Sequence, residues 1–219
     1  MINNNPKITI VIPTVNIDSI YLSRLVKSIY KHTSCKNFNL IILKNDWRGF
    51  AKVINEGLRM FLADKDSDYV FLLNDDTMVM PDWDKHFIKI LDSKDDSMPY
   101  KVGIVGDIFT RMQGDHLAFW AVMLPREVIE TVGLLDEKFY NGFEDLEYCD
   151  RIKAKGYKIY TTKYNFIQHV VTNTIDLIPQ DIRKQMDRQN SDLYEGKMDV
   201  LKTDLKEGGD IVDKQNQKV

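Results

Sequence analysis

Three short apolar runs, rich in β-branched residues, alternate with amphipathic stretches in the first third of the chain. The runs cover residues 7–15, 38–46 and 69–73, and their nearly continuous apolar character is typical of strands buried on both faces of a parallel sheet. Between them, residues 18–32 and 49–63 carry apolar side chains at helical spacing. This alternation predicts an α/β fold with right-handed crossovers, in which helices flank a mostly parallel central sheet.

Each of the three apolar runs ends in polar or turn-forming residues. In open α/β sheets, ligands bind in the crevice beyond the carboxyl ends of the strands. We therefore expect the residues at these three ends to line one crevice. These residues are Pro13, Thr14, Asn45, Asp46, Asn74, Asp75 and Asp76.

The second half of the sequence is less regular. We predict helices at 82–91 and 126–132, and a third helix that begins near residue 145 and runs to about Ala154. We predict strands at 102–107, 116–125 and 157–162. A length of 219 residues with 43% apolar composition fits one domain, which we place at residues 1–195. Residues 196–219 are polar, contain Gly208-Gly209 and show no apolar periodicity, so we expect a flexible tail.

Composition excludes several classes of protein. The net charge of -3 gives no overall electrostatic footprint for nucleic acid. Cys35 and Cys149 show neither a disulfide framework nor zinc-ligand spacing, so a cytoplasmic location is expected. Residues 1–7 do not resemble a signal peptide, and no apolar run reaches the ~20 residues that a membrane span requires. The sequence also lacks the P-loop, GxGxxG, GxSxG and HExxH motifs.

Three groups of residues are candidates for chemistry. Asn74-Asp75-Asp76 follows a buried strand, and its oxygen atoms suit Mg²⁺ or Mn²⁺. The alternative is a simple turn, which local reasoning favours. A second acidic group, Glu144 and Asp145, either caps a charged helix or contains a general base that neighbouring aromatic residues desolvate. His169 is an ordinary histidine unless the fold brings it to a metal.

The motifs, taken in order, resemble the GT-A glycosyltransferases, especially the inverting family 2. The first strand, ITIVIPTVN at 8–16, is similar to the family's opening strand. GFAKVINEG at 49–57 and YVFLLNDDTMVMPDW at 69–83 resemble its next two motifs. EDLEYCDRIKAKGYKI at 144–159 matches its acidic helix closely. The family's second strand and its acceptor-side segment also have counterparts, and the resemblance extends from about Lys7 to Thr172.

The resemblance implies a role for individual residues. Asn74-Asp75-Asp76 stands for the DxD motif, with Asp76 as the metal ligand and His169 as a further ligand. Asp145 is the implied catalytic base, and Glu144 lies close to it. The other residues implied to bind the donor are Pro13, Thr14, Asn16, Asn45, Asp46, Asn55, Asn74, Asp75 and Trp120.

The implied activity is transfer of a sugar, with inversion, from a UDP- or GDP-sugar to a hydroxyl group of a glycan or another acceptor. Mn²⁺ or Mg²⁺ would stabilise the diphosphate leaving group while the base activates the hydroxyl. Two departures, Lys44 in place of a base-recognising aspartate and Asn74 in place of the first DxD aspartate, motivate an alternative: a catalytically reduced sugar-nucleotide-binding module. A nucleotidyltransferase ranks lower because residues 15–19 contain neither Gly nor Arg.

Overall fold

The computed structural model describes residues 6–93, 101–170 and 178–216. Its strands are β1 (Ile8–Thr14), β2 (Phe38–Lys44), β3 (Tyr69–Leu73), β4 (Thr77–Val79), β5 (Val102–Gly106), β6 (Arg111–Met112), β7 (His116–Leu117), β8 (Ala121–Pro125), β9 (Lys158–Thr161) and β10 (Ile167–His169). Its α-helices are α1 (Ile20–His32), α2 (Phe50–Ala63), α3 (Trp83–Leu91), α4 (Arg126–Val132), α5 (Glu144–Ala154) and α6 (Gln180–Asn216).

Six of these strands form the central sheet, in the order β2-β1-β3-β8-β5-β9. Strand β1 pairs in parallel with β2 and β3, and β5 pairs in parallel with β9. Only β8 runs antiparallel to its two neighbours, β3 and β5, in this sheet. The predicted mixed α/β fold with a mostly parallel sheet is therefore confirmed, and the carboxyl ends of β1, β2 and β3 lie at one edge.

Helices cover both faces of the sheet, as the continuous apolar character of the strands requires. On β1, Val11 belongs to the core beneath α2, α4 and α5, whereas Ile10 and Ile12 belong to the core beneath α1 and α3. Successive side chains of a strand point to opposite faces, so one strand contributes to both cores. Gly57 lets α2 approach β1 closely, since a Cβ there would lie 2.4 Å from Val11 Cγ1.

A second, smaller ladder lies beside the central sheet. Strand β10 pairs antiparallel with β4, and this pairing places His169 opposite Thr77. Asp107, at the end of β5, holds the β10 segment because its carboxylate accepts the backbone N–H groups of Phe166 and Ile167, at 2.8 and 3.1 Å. The pairing of β4 with β10 was not predicted from the sequence, because the two strands are far apart in the chain.

The prediction of one strand over residues 116–125 is wrong. His116–Leu117 forms a short hairpin with Arg111–Met112, and only Ala121–Pro125 joins the central sheet. Between them, the Ala118 N–H donates to the Thr110 carbonyl at 2.8 Å, so the chain changes partner there. Apolar periodicity does not reveal this change because both pieces are apolar.

Helix α6 extends through much of the stretch predicted to be a flexible tail, since it runs from Gln180 to Asn216 across the proposed boundary at residue 195. Residues 180–216 contain no proline, and Lys and Gln, which favour helices, are frequent among them. The division into a domain and a tail stays a prediction. Among the helices of residues 6–93, 101–170 and 178–216, none has both the length and the apolar character needed to cross a membrane.

Candidate functional site

The ends of β1, β2 and β3 open into a cavity of about 260 Å³, which we call the first cavity. It contains five of the residues predicted from the strand ends, together with Glu144 and several residues from neighbouring loops. The lining residues are Pro13, Thr14, Val15, Asn45, Trp47, Phe50, Asn74, Asp75, Asn141, Glu144 and Ile178. The crevice expected from the sequence therefore exists as a cavity at the edge of the sheet.

Hydrogen bonds connect the three strand ends at this cavity. The Thr14 hydroxyl donates to Asp75 Oδ2 at 2.5 Å, and the Asn45 N–H donates to the Thr14 carbonyl at 2.7 Å. Burial raises the pKa of the Asp75 carboxyl above its ordinary value; the hydrogen bond from Thr14 opposes this rise, and the neighbouring Asp76 carboxylate adds to it. The Asp75 carboxylate is therefore hydrogen-bonded to Thr14 and faces the first cavity.

Residues 74–77 form a hydrogen-bonded turn, as the simpler of the two sequence interpretations predicted. The Thr77 hydroxyl donates to the Asn74 carbonyl at 2.7 Å, and the Asn74 N–H donates to the Trp120 carbonyl at 2.9 Å. The turn also sends the Asp76 side chain away from the first cavity and toward β10. Residues 74–76 thus form a turn and also place the Asp76 carboxylate beside β10.

Asp76 and His169 meet on the far side of this turn. Asp76 Oδ1 lies 3.1 Å from His169 Nε2, and the Val170 N–H donates to the Asp76 carbonyl at 2.8 Å. The Asp76 side chain is 8% exposed and the His169 side chain 30% exposed. The β4–β10 ladder and Asp107 create this proximity, which the sequence suggested only through the resemblance.

The pair is a candidate ligand set for a divalent metal. Across the described residues, no group of three or more His, Cys, Asp or Glu side chains is arranged to hold a metal ion. A structural zinc site would need such a group. Mg²⁺ and Mn²⁺, in contrast, are commonly held by one or two protein ligands, with water and substrate phosphates completing the coordination. Asp76 and His169 therefore fit a metal that binds together with a phosphate ligand.

A second cavity, of about 500 Å³, lies on the His169 side of the turn. Most of its lining is aromatic, aliphatic or amide, and His169 is the one ionisable side chain among the described residues that line it. Its lining residues are Phe109, Trp120, Asn165, Ile167, Gln168, His169 and Val170. The Trp120 ring stacks on the His169 ring, with centroids 4.8 Å apart, and Phe109 is 69% exposed. Trp120 thus belongs to this second cavity.

Glu144 and Asp145 begin α5 and face different surroundings. Glu144 is 5% exposed, lines the first cavity and accepts the Gly142 N–H on Oε2 at 2.6 Å. Burial and the adjacent Asp145 charge raise the pKa of Glu144 to about 7. The half-buried Asp145 does not line that cavity, and its Oδ1 accepts the Leu146 N–H at 2.9 Å. Burial also raises the pKa of Asp145, while backbone N–H groups, among them that of Phe119, and the nearby His116 oppose the rise.

Glu144→Gln should stabilise the fold in a pH-dependent way. Because the folded-state pKa of about 7 exceeds the ordinary 4.5, the stability of the native chain is retained below pH 4.5 and is lost as the pH rises through 7. Glutamine resembles the protonated acid at every pH. The variant should therefore gain up to about 3 kcal/mol of unfolding free energy over the native chain at pH 8 and little at pH 4.5, measured by denaturant titration.

The control for this comparison is Glu195→Gln, which removes an exposed carboxylate on α6. It should show no comparable difference between pH 4.5 and pH 8. If the advantage of Glu144→Gln were the same at both pH values, the raised pKa of Glu144 would be contradicted.

Three residues predicted to bind the donor, Asn16, Asp46 and Asn55, line neither of the two cavities. Asn55 is buried in α2, where its amide accepts the Leu135 N–H at 2.9 Å and donates to the Leu135 carbonyl at 2.8 Å. Its side chain thus holds the loop at Leu135, and its role as a donor-binding residue stays a prediction. Asp46 is exposed and pairs with Lys44 at 2.9 Å. Asn16 is exposed, and its Oδ1 accepts the Asp18 N–H at 3.0 Å.

Sequence reasoning missed Trp47, Asn141 and Ile178 as lining residues. Trp47 follows directly after Asn45-Asp46 and has φ 57°, and Asn141 precedes Gly142 with φ 51°. Asn is one of the few residues that adopts this left-handed conformation readily, so the pair Asn141-Gly142 was a usable turn signal. Nothing in the local sequence marks Ile178.

The sequence and the fold were compared with those of known proteins. The family model described as glycosyl transferase family 2 matches residues 19–144. A search of curated protein sequences gave no significant match.

Three solved structures similar to this chain differ in their bound ligands. The Drosophila beta1,4-galactosyltransferase 7 catalytic domain, complexed with xylobiose, is 16% identical (TM-score 0.58; 76% of this chain, 71% of that chain covered). The mannosyltransferase PcManGT from Pyrobaculum calidifontis, with GDP-Man and Mn²⁺, is 16% identical (TM-score 0.59; 78% and 59% covered). GalNAc-T7, with UDP, GalNAc and Mn²⁺, is 14% identical (TM-score 0.61; 76% and 44% covered). At these identities the likeness concerns the fold.

Proposed function

Because the chain belongs to glycosyl transferase family 2, we propose that it transfers a sugar from a nucleoside diphosphate sugar to an acceptor hydroxyl with inversion at the anomeric carbon. The observation that carries this proposal is the arrangement around the 74–76 turn. The first cavity opens on one side of the turn, and the Asp76–His169 pair and the second cavity lie on the other. A donor and an acceptor could therefore approach the same turn from two sides.

The first cavity is the proposed donor site, and a UDP- or GDP-sugar is the proposed donor. Its polar lining, from Thr14, Asn45 and Asn74, offers hydrogen bonds to a nucleoside. Asp76 and His169 would hold Mn²⁺ or Mg²⁺, which when bound neutralises charge on the diphosphate leaving group. The complexes of PcManGT with GDP-Man and Mn²⁺ and of GalNAc-T7 with UDP and Mn²⁺ support this choice of ligands.

Asp145 is the proposed general base. Its raised pKa favours proton uptake, and its half-buried carboxylate lies near the backbone of Phe119, the residue before Trp120 of the second cavity. A carboxylate there would accept the proton of an acceptor hydroxyl as its oxygen attacks the anomeric carbon from the face opposite the leaving group. Glu144 faces the first cavity instead, so we assign it to the hydroxyl groups of the donor sugar.

The second cavity is the proposed acceptor site. Among the residues that the structure describes, its lining has no ionisable group apart from His169, which suits a neutral ligand rich in hydroxyl groups. Phe109 presents an exposed ring on which a sugar ring could pack, and the amides of Asn165 and Gln168 can both donate and accept hydrogen bonds. A glycan is therefore the acceptor class that we propose, and the xylobiose complex of the Drosophila relative supports it.

A thermal-shift panel tests the donor and the metal together. We expect the melting temperature to rise when MnCl₂ and UDP-glucose, UDP-galactose, UDP-N-acetylglucosamine or GDP-mannose are added jointly. A ligand at 100 times its dissociation constant stabilises the fold by about 2.7 kcal/mol. Each nucleotide sugar without metal should give a smaller shift, because the diphosphate charge then remains uncompensated beside Asp75 and Asp76.

Two outcomes would change the proposal. If none of the four donors with Mn²⁺ produced either a shift or slow donor hydrolysis, sugar transfer by this site would be ruled out. If a donor bound while neither hydrolysis nor transfer to any saccharide occurred, the alternative of a sugar-nucleotide-binding module would be favoured. The substitution of Asn74 for the first DxD aspartate is the observation behind that alternative.

A further inference from the structure

One face of helix α6 contacts the segment that precedes α5. Asn190, Tyr194 and Lys197 follow one another at spacings of four and three residues, so they lie on the same side of the helix. Each makes a polar or aromatic contact with residues 136–150. This face lies outside residues 19–144, which match the family model.

Asn190 makes the most specific of these contacts. It is 4% exposed; its Oδ1 accepts the Tyr140 N–H at 3.2 Å, and its Nδ2 donates to the Tyr140 carbonyl at 3.0 Å. The side-chain amide thus pairs with both backbone groups of one residue, as a neighbouring strand would. Loss of the amide would leave both buried groups without these partners, which costs free energy.

The segment that Asn190 holds contains one residue in an unfavourable backbone conformation. Phe143 has φ 69°, in the left-handed region, whereas Asn141, with φ 51°, is of a type that adopts this conformation readily. For a residue such as Phe143 the conformation costs about 1–3 kcal/mol and persists only where the surroundings impose it. The external contacts of this segment are therefore needed to keep its shape.

The same segment joins the wall of the first cavity to Glu144. The Tyr140 hydroxyl donates to the Trp47 carbonyl at 2.5 Å, and the Phe50 N–H donates to Asn141 Oδ1 at 2.8 Å. The next residue, Gly142, donates its N–H to Glu144 Oε2. A change in the backbone at Tyr140 would therefore move the cavity wall and the Glu144 carboxylate together.

Tyr194 and Lys197 hold the two sides of this segment. The Tyr194 ring contacts the Phe143 ring, with centroids 5.8 Å apart, and its hydroxyl donates to Asp150 Oδ2 at 2.6 Å. Lys197 pairs with Asp136 before the segment and lies 3.5 Å from Glu147 after it. Together, the three side chains of the α6 face thus bind residues on both sides of Glu144.

We propose that α6 acts on the sugar-transfer site through Asn190, which is a positioning residue that keeps the backbone of residues 140–143 in place and Glu144 directed into the first cavity. Asn190 contacts no reacting atom. The expected effect of Asn190 on the rate of sugar transfer rests on the proposed function. Its effect on the surroundings of Glu144 does not.

A direct titration of Glu144 tests the structural part. In the full chain, with glutamate carboxyl carbons labelled with ¹³C and Glu144 assigned by its loss in Glu144→Gln, the native carboxyl should titrate near pH 7. The charged groups that face it are Asp145 beside it on α5 and Asp75 across the cavity. In Asn190→Ala, water should reach the loosened segment and the pKa should fall by about one unit or more.

Two further variants complete the design. Asn190→Leu retains nearly the size of the side chain and adds no charge, but it can neither accept from the Tyr140 N–H nor donate to the Tyr140 carbonyl, so it should also lower the pKa. Gln189→Ala changes the exposed neighbouring residue and should leave the titration unchanged. An unchanged Glu144 pKa in both Asn190 variants, or an equal shift in Gln189→Ala, would overturn the proposal.

The kinetic part is measured separately. Turnover of a donor should fall about tenfold or more in Asn190→Ala, since small displacements of a catalytic group have large effects on rate. Because Glu144 is assigned to the donor sugar and not to proton transfer, its lowered pKa should appear in the pH dependence of kcat/KM for the donor and not in that of kcat. If the native chain turned over no donor, the proposed function would fail while the titration still decided the role of Asn190.

Discussion

Asp145→Asn is expected to lower turnover about 10²–10⁴-fold, which is the usual contribution of a general base. Asparagine has nearly the same shape and retains an oxygen that can accept the Leu146 N–H, so the start of α5 should be preserved. It cannot accept a proton from an acceptor hydroxyl. The loss should therefore appear in kcat, measured as release of nucleoside diphosphate in the presence of donor, Mn²⁺ and acceptor.

Binding of the donor provides the control for this variant. Asp145 does not line the first cavity, so the thermal shift with nucleotide sugar and Mn²⁺ should match that of the native chain. Glu144→Gln should show the opposite pattern, with weaker donor binding, because Glu144 does line that cavity. If Asp145→Asn turned over donor as fast as the native chain, Asp145 would not be the base, and Glu144 would take its place as the candidate.

Asp76→Asn is expected to abolish most of the response to metal. Loss of one carboxylate from a set of two protein ligands removes the anionic ligand and leaves His169 as the remaining one. Metal assistance supplies several kcal/mol in related chemistry, so a fall in kcat/KM of about 10²-fold or more is expected. The additional thermal shift that Mn²⁺ gives with a nucleotide sugar should disappear.

Asp75→Asn is the matched control, since it neutralises the adjacent carboxylate. Asp75 is hydrogen-bonded to Thr14 and faces the first cavity, so its loss should leave the response to Mn²⁺ in place. An equal loss of the Mn²⁺ response in both variants would mean that the two carboxylates act together on the metal. Loss in Asp75→Asn alone would contradict the assignment of Asp76 as the ligand.

The parallel half of the sheet could be predicted from the sequence because its signals are local. A strand buried on both faces is apolar throughout, and the helix after it shows its own periodicity within about fifteen residues. β1, α1, β2, α2 and β3 all follow this rule. The β4–β10 ladder does not, since its two strands lie almost ninety residues apart and are only three residues long. No local pattern specifies such a pairing.

The site could be predicted in outline for the same reason, but the direction of individual side chains could not. Adjacent residues on a helix point about 100° apart, so Glu144 and Asp145 are directed to different surroundings although they are neighbours in the sequence. Asn55 shows the converse problem, because a polar residue near a ligand site in sequence is used to hold a loop. Both distinctions depend on what packs against the helix, which only the fold supplies.

The 74–76 turn divides the site into parts that come from different sections of the chain. The first cavity is built mainly from the ends of the first three strands and the residues that follow them, whereas the second is built from Phe109, Trp120 and residues 165–170. Substitutions that reshape the second cavity can therefore be made without altering the residues that line the first. Under the proposed function, acceptor preference can then be diversified in a library confined to Phe109, Asn165 and Gln168 while donor recognition is kept constant.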